Sequence, residues 1–231
     1  MRLRVPDDSI DLGRIPFDAS EHIEPVSEQV DLFKRTVDIV IASVALILLA
    51  PLILLFALLV RLQDGGTSLF AQSRYGLNGK TFQCYKLRSM TVDAQERLNA
   101  ILATNDALRA EWEASQKLRS DPRITPLGSL LRKSSIDELP QLWNVLKGDM
   151  SIVGPRPIVK NEIQKYGDNY RFYTAVRPGL TGLWQVDGRT NTTYEERIEM
   201  DVNYVRTRSF WGDVWIMLKT VPAVLRSRGA V

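Results

Sequence analysis

The sequence predicts a mostly helical α+β fold held on one leaflet of a membrane. Three observations predict it. A long uncharged apolar run carries a proline near its middle; two short alternating segments flank an Asn-Gly turn; the rest is a succession of helical segments, the last of them amphipathic. The expected elements are a re-entrant helix-break-helix, a small β-hairpin and interfacial amphipathic helices. At 231 residues the chain holds one good-sized domain with appendages. It divides into a flexible N-terminal tail (1–30), a re-entrant membrane helix (31–62) and a membrane-associated folded part (63–231).

The tail carries Pro6, Pro16, Pro25 and many acids, with little periodicity. It is not a secretory signal, since no apolar core follows a basic start. From Ile39 to Val60 there are 22 residues without a charge. A helix of that length covers roughly 33 Å, enough to cross a hydrocarbon core of about 30 Å. On length alone it reads as a spanning helix. Two features oppose that. Pro51 removes a backbone hydrogen bond and crowds the preceding turn, so a break is expected at Ala50-Pro51. The basic flanks are balanced, Lys34 and Arg35 before, Arg61 and Arg74 after, as both ends on one face would require. Asp38 at the mouth can pair with Lys34 or Arg35.

SLFAQSRYGLNGKTFQCYKLRSM then reads as two strands around Asn78-Gly79. In the second strand Phe82, Cys84, Lys86 and Arg88 alternate onto one face. That face is either solvated or a phosphate grip. A helix is expected from Asp93 to about Leu118, ended by Asp121-Pro122, and another from about Leu139 to Lys147. RPGLTGLWQVDGR is a Gly-bearing loop, and Tyr194 to Arg206 is helical. The last segment, with Phe210, Trp211, Trp215 and a tip of Arg226 and Arg228, is either a core helix or a helix in the membrane interface.

Composition narrows the chemistry. Hydrophobic residues make up 45% and charged residues 25%, as in an ordinary folded protein. The net charge of +3 and a pI near 9.0 suit an anionic partner: a membrane surface, a nucleotide or a nucleic acid. One cysteine, Cys84, excludes an intrachain disulfide. One histidine, His22, lies far in sequence from the acids, which argues against a tetrahedral zinc site and a Ser-His-Asp triad. Carboxylates, Lys, Arg and hydroxyls remain, a set suited to phosphate chemistry with Mg²⁺.

Those groups converge on SSIDELPQLWNVLKGDMSIVGPRP, where Asp137 and Glu138 are adjacent. Pro140 is best tolerated in a first helical turn, so Asp137 or a neighbouring serine is the expected N-cap. Capping alone accounts for an arbitrary Asp-Glu-x-Pro. Here Arg132, Lys133, Arg156, Lys86 and Arg88 supply more cation than a cap requires. A carboxylate at a helix start among cations keeps a low pKa, and beside a neutralised phosphate it is a competent nucleophile.

In order, KRTVDIVIA, the proline-broken apolar run, YKLRSM, DPRITPLGSLLRKSSIDELPQLWNVLKGDMSIVGPRP and VRPGLTGLWQVDGR resemble the bacterial sugar transferases, monotopic polyprenyl-phosphate phosphoglycosyl transferases, from about Lys34 to Leu225. The chain resembles the family's small form, and most of all its exopolysaccharide-initiating galactose or glucose phosphotransferases. The resemblance implies transfer of a hexose-1-phosphate from a UDP-hexose to undecaprenyl phosphate, releasing UMP. It implies Asp137 as nucleophile and Glu138 as its partner, both associated with Mg²⁺. It places Lys86, Arg132 and Arg156 near the phosphates, and Arg88, Arg189 and Asp201 among the substrate-binding positions. It matches Ala50-Pro51 to the re-entrant break, although Ala50 stands where many members carry serine. It implies the cytoplasmic face of the bacterial inner membrane, lipid of one leaflet, and homo-oligomers or downstream glycosyltransferases as protein partners.

Two other classes are weighed against it. A membrane-anchored nucleic-acid binder fits the charge, but no helix-turn-helix, zinc finger or aromatic-rich sheet motif is present, and no nucleic-acid partner is expected. A non-catalytic scaffold for polysaccharide export would use the acids only as a helix cap and release no UMP.

Overall fold

The computed structural model describes residues 28–115, 118, 120–187 and 192–225. The expectations for residues 1–27, Arg189, Arg226 and Arg228 lie outside these. Helix α1 (Glu28–Asp64) runs 37 residues with Pro51 inside it. A straight helix of that length measures about 55 Å. It is the one helix among the described residues long and apolar enough to cross a membrane. Ile47, Leu48, Leu54 and Leu55, around Pro51, are exposed.

Both flanks of α1 pack on the same folded body. Before Pro51, Ala42 enters the main core, with Ile41, Ala45, Leu46 and Leu49 packed against it. Polar ties reinforce that end. Lys34 pairs with Asp213 at 2.5 Å, and Arg35 donates to the carbonyls of Val145 (2.6 Å) and Leu146 (2.9 Å). Asp38 is buried and accepts from the Ser151 hydroxyl and the Ile152 amide. After Pro51, Val60 joins Leu87 and Leu131 in a second cluster, and the Ser68 hydroxyl donates to the Ala57 carbonyl.

Strands β1 (Leu69–Tyr75) and β2 (Thr81–Leu87) form the expected antiparallel hairpin, with Leu69 opposite Leu87 and Tyr75 opposite Thr81. Asn78 makes the turn at φ 55, a conformation that asparagine tolerates better than most residues. The single helix expected from Asp93 is two, α2 (Ala94–Thr104) and α3 (Asp106–Ser115). Asn105 between them is extended, and its side-chain oxygen accepts from the Leu108 amide. Its local hydrogen bonding competes with helix continuation, so the chain stops and restarts there.

Helix α4 (Pro126–Lys133) is capped by Thr125, whose hydroxyl accepts from the Gly128 amide at 2.9 Å. A 3-10 turn over Ile136–Glu138 follows, then α5 (Gln141–Lys147), which ends on Gly148 at φ 90. Asp137 therefore sits inside the turn and not at a helix cap. Neither the turn nor α5 has a side-chain capping bond. The reversal out of α4 is made by Ser135 in the left-handed region, φ 55.

A second sheet was not expected. β3 (Ser151–Val153) pairs in parallel with β4 (Gly179–Thr181). Backbones approach closely here: a Cβ on Gly154 would lie 2.5 Å from the Arg177 carbonyl oxygen, and one on Gly179 would lie 2.1 Å from the Gly154 nitrogen. The glycines of both loops are thus needed for contact with each other. Helices α6 (Lys160–Tyr166), α7 (Tyr170–Thr174), α8 (Leu183–Asp187) and α9 (Tyr194–Thr207) complete the body. α9 begins with a reciprocal cap between Thr193 and Glu196. The last helix, α10 (Phe210–Leu225), buries Ile216 and exposes Trp211 and Leu218. It has both the core face and the outward apolar face that the sequence left as alternatives. The main core joins Leu142 and Val145 of α5, Met150, Phe172, Tyr173 and Val202.

Candidate active site

The site is assembled by three segments. Strand β2 carries Lys86, the 3-10 turn carries Asp137 and Glu138, and the loop after β3 carries Arg156. Ile136 packs against the Val60–Leu87–Leu131 cluster, which fixes the turn to the hairpin and to α1. Asn144, fully buried in α5, fixes it from the other side. Its amide nitrogen donates to the Gln83 carbonyl (2.7 Å) and to Asp149 (3.0 Å), and its oxygen accepts from the Tyr85 amide (3.0 Å). The strand that carries Lys86 is thereby pinned to the helix that follows the acids.

Lys86 reaches Glu138 at 2.5 Å, and Arg156 stands 3.8 Å from the same Glu138 oxygen. Burial alone would raise the Glu138 pKa, but Lys86 and Arg156 outweigh it and hold the carboxyl at about 2. Asp137 is buried, and its oxygens accept no hydrogen bond among the described residues. Burial raises its carboxyl to about 6, with the Glu138 charge acting the same way, against Lys86, Arg132 and Arg156. This reverses the low pKa expected from the sequence, because the carboxylate lies in a wall and not at an open helix start. At pH 7 it is still mostly ionised.

Arg132 donates to the Ser89 hydroxyl at 2.8 Å and acts on Asp137 by charge alone. Arg88 is turned elsewhere. β2 ends at Leu87, and the Arg88 guanidinium grips Asp64 at the end of α1 with bonds of 2.6 and 2.5 Å. Asp201 is buried, accepting from the Tyr166 hydroxyl at 2.7 Å, and burial lifts its carboxyl to about 7 despite that bond and the Arg156 charge. Arg189 lies outside the described residues.

The cleft over Glu138 has about 250 Å³ of open space, and its walls include Arg74, Lys86, Gln141, Arg156 and Gln185. Asp137 lies just behind this lining. Arg74, Gln141 and Gln185 were not read as site residues. Arg74 carried a signal, as a charge within an alternating strand, but in the sequence it counted only as a flank of the apolar run.

No group of three or more His, Cys, Asp or Glu among the described residues could hold a metal. The donor set nevertheless fits a hard cation that keeps its waters and borrows substrate oxygens. Asp137 has uncommitted lone pairs, and Glu138 meets its cations through one oxygen, leaving the other.

Comparison with known proteins identifies the class of protein that carries this cluster of acids and cations. The model of the bacterial sugar transferase family matches residues 29–227, and the chain belongs to that family. It is 51% identical over 168 residues to the undecaprenyl-phosphate galactose phosphotransferase of Salmonella typhimurium, covering 73% of this chain and 35% of that protein. It is 42% identical over 209 residues to the UDP-glucose:undecaprenyl-phosphate glucose-1-phosphate transferase of Caulobacter vibrioides, 87% of this chain and 73% of the relative. Against exopolysaccharide production protein ExoY of Rhizobium meliloti it is 45% identical over 172 residues, 74% and 76% of the two chains. The chain spans about a third of the length of several of its relatives, the Salmonella protein among them.

Proposed function

We propose that the protein transfers a hexose-1-phosphate from a UDP-hexose to undecaprenyl phosphate, through a covalent aspartyl phosphosugar, as the first membrane step of exopolysaccharide synthesis. The observation that carries this reading is the pairing of unlike carboxylates. Glu138 is locked to Lys86 and Arg156, while Asp137 beside it is buried, unbonded and still ionised at neutral pH. A carboxylate without hydrogen bonds keeps its nucleophilicity, and nearby cations favour its approach to an anionic ester.

In the first half-reaction an Asp137 oxygen attacks the sugar-bearing phosphorus. The new O–P bond replaces the bond to the bridging oxygen, which leaves on UMP. In the second, an oxygen of the lipid phosphate attacks the same phosphorus and Asp137 departs as carboxylate. Lys86 and Arg156 hold phosphate oxygens and take up negative charge as UMP leaves. A Mg²⁺ held by Asp137, Glu138 and substrate oxygens would supply further charge neutralisation. The names of the relatives support galactose or glucose as the hexose and undecaprenyl phosphate as acceptor.

The same reading takes α1 as dipping into one leaflet, on the cytoplasmic face of the inner membrane. Its support is that residues on both sides of Pro51 pack on one folded body. A helix crossing the bilayer would separate them by its thickness.

Mass spectrometry of enzyme incubated with UDP-glucose or UDP-galactose and Mg²⁺, without lipid, tests the mechanism. A hexose-phosphate adduct should map to the peptide carrying Asp137, with ping-pong kinetics. Sequential kinetics without an adduct would mean that the lipid phosphate attacks directly. No UMP release from any UDP-hexose would leave the chain a scaffold.

A further inference from the structure

Arg74 lines the cleft from β1, beside the loop that carries Arg156. Its side chain is 14% exposed. Burial and the like charge of Arg156 both lower its pKa. Neither guanidinium is neutralised well. Arg156 has only the 3.8 Å approach to Glu138. Arg74 donates to the Pro157 carbonyl (2.9 Å) and to Gln72 (2.7 Å), and its nearest carboxylate, Glu162, is 3.7 Å away. That carboxylate is already engaged, because the same oxygen accepts from the Val159 amide at 2.8 Å. The Arg74 Nε–H is buried and has no partner among the described residues.

An unpaired buried donor on a cation is costly and asks for an explanation in a ligand or water. The three cations Arg74, Lys86 and Arg156 meet a single lining carboxylate, Glu138. An anion with several oxygens would offset this excess of positive charge.

We propose that Arg74 is a further ligand-binding residue of this cleft, forming with Arg156 a two-guanidinium clamp for a diphosphate. The clamp rests on the reading of the cleft as the site of a nucleotide-diphosphate donor. A planar fork suits two oxygens of one phosphoryl group, and the neighbouring guanidinium suits the other phosphoryl group. Arg74 also holds the Pro157 carbonyl next to Arg156, so the clamp is built as one unit.

Inorganic diphosphate is the probe. Its binding to the full-length protein in detergent is measured by calorimetry at fixed salt, beside UMP release from UDP-hexose. Arg74→Gln should weaken diphosphate binding at least tenfold and raise KM for the donor more than it lowers kcat. Arg74→Lys keeps the charge but loses the Nε–H and the fork, and it should bind several-fold more weakly than the wild type. Where Arg74→Gln does not fold, the Lys variant decides. Wild-type diphosphate affinity in a folded Arg74→Gln or Arg74→Lys protein overturns the clamp. Wild-type protein that binds diphosphate through Arg74 yet releases no UMP would overturn the transfer reaction and leave the clamp standing.

Discussion

Adjacent residues of one type titrate in opposite directions here. Glu138 is long enough to reach Lys86 and its pKa drops to about 2; Asp137 is one methylene shorter, lies in the wall and rises to about 6. Because Asp137 accepts no hydrogen bond, Asp137→Asn should abolish turnover without lowering the melting temperature. Asp137→Glu should also be inactive, since the attacking oxygen moves by about 1 Å. Assays of turnover and thermal melting on the same preparations check both. Asp201 offers a test of a buried charge. Its folded pKa of about 7 exceeds the unfolded value of about 3.9. Between those values the folded state keeps a proton that the unfolded state has lost, so this group makes stability fall as pH rises from about 4 to 7. Asp201→Asn stays neutral and keeps an oxygen for Tyr166. It should therefore melt higher than wild type at pH 8, by a margin that shrinks toward pH 4. An equal margin at both pH values would show that Asp201 is not the titrating group.

At the scale of elements, the site depends on how α5 is tied to β2 and to α1. Asn144 makes three hydrogen bonds in full burial, two of them to the backbone on either side of Cys84. Asn144→Ala leaves the Gln83 carbonyl and the Tyr85 amide unpaired, and should cost about 2–6 kcal/mol at roughly 1–3 per stranded group. A shift in denaturant midpoint at constant slope reads this. Arg35 does related work at the other end of α5, where its guanidinium takes the carbonyls of Val145 and Leu146. Helix α1 thus caps the helix that follows the acids. The Arg88–Asp64 pair closes the far side by joining the end of α1 to the end of β2.

For the whole molecule, the apolar middle of α1 and the outer face of α10 are exposed while both flanks of α1 are tied to the folded body. That surface calls for lipid. Single cysteines replacing Thr36 and Ser73, both exposed, in a Cys84→Ala background should be labelled from the same side of sealed vesicles. Labelling from opposite sides would mean that α1 spans, and that its contacts with the body differ in the membrane. Pro51→Leu should shift α1 toward a straight, spanning form in the same assay.

The sequence by itself determined the local pieces. Alternation and Asn78-Gly79 specified the hairpin, charge-free length specified the apolar helix, and the run from Tyr194 to Arg206 read as a helix, because each depends on neighbours in the chain. The motifs were enough to bring Asp137, Glu138, Lys86 and Arg156 into one hypothesis. Tertiary structure decided what depends on distant partners. Burial turned the shift of Asp137 upward, which no count of nearby cations in the chain could foretell. The end of β2 and the approach of Asp64 drew Arg88 away from Lys86. The pairing of β3 with β4 joins segments about thirty residues apart, and its glycines have meaning only against each other. Arg74 entered the cleft because its strand places it there, beside an arginine more than eighty positions further on. Periodicity and capping are written within a few residues, whereas desolvation and charge pairing are set by whatever the folded chain brings alongside.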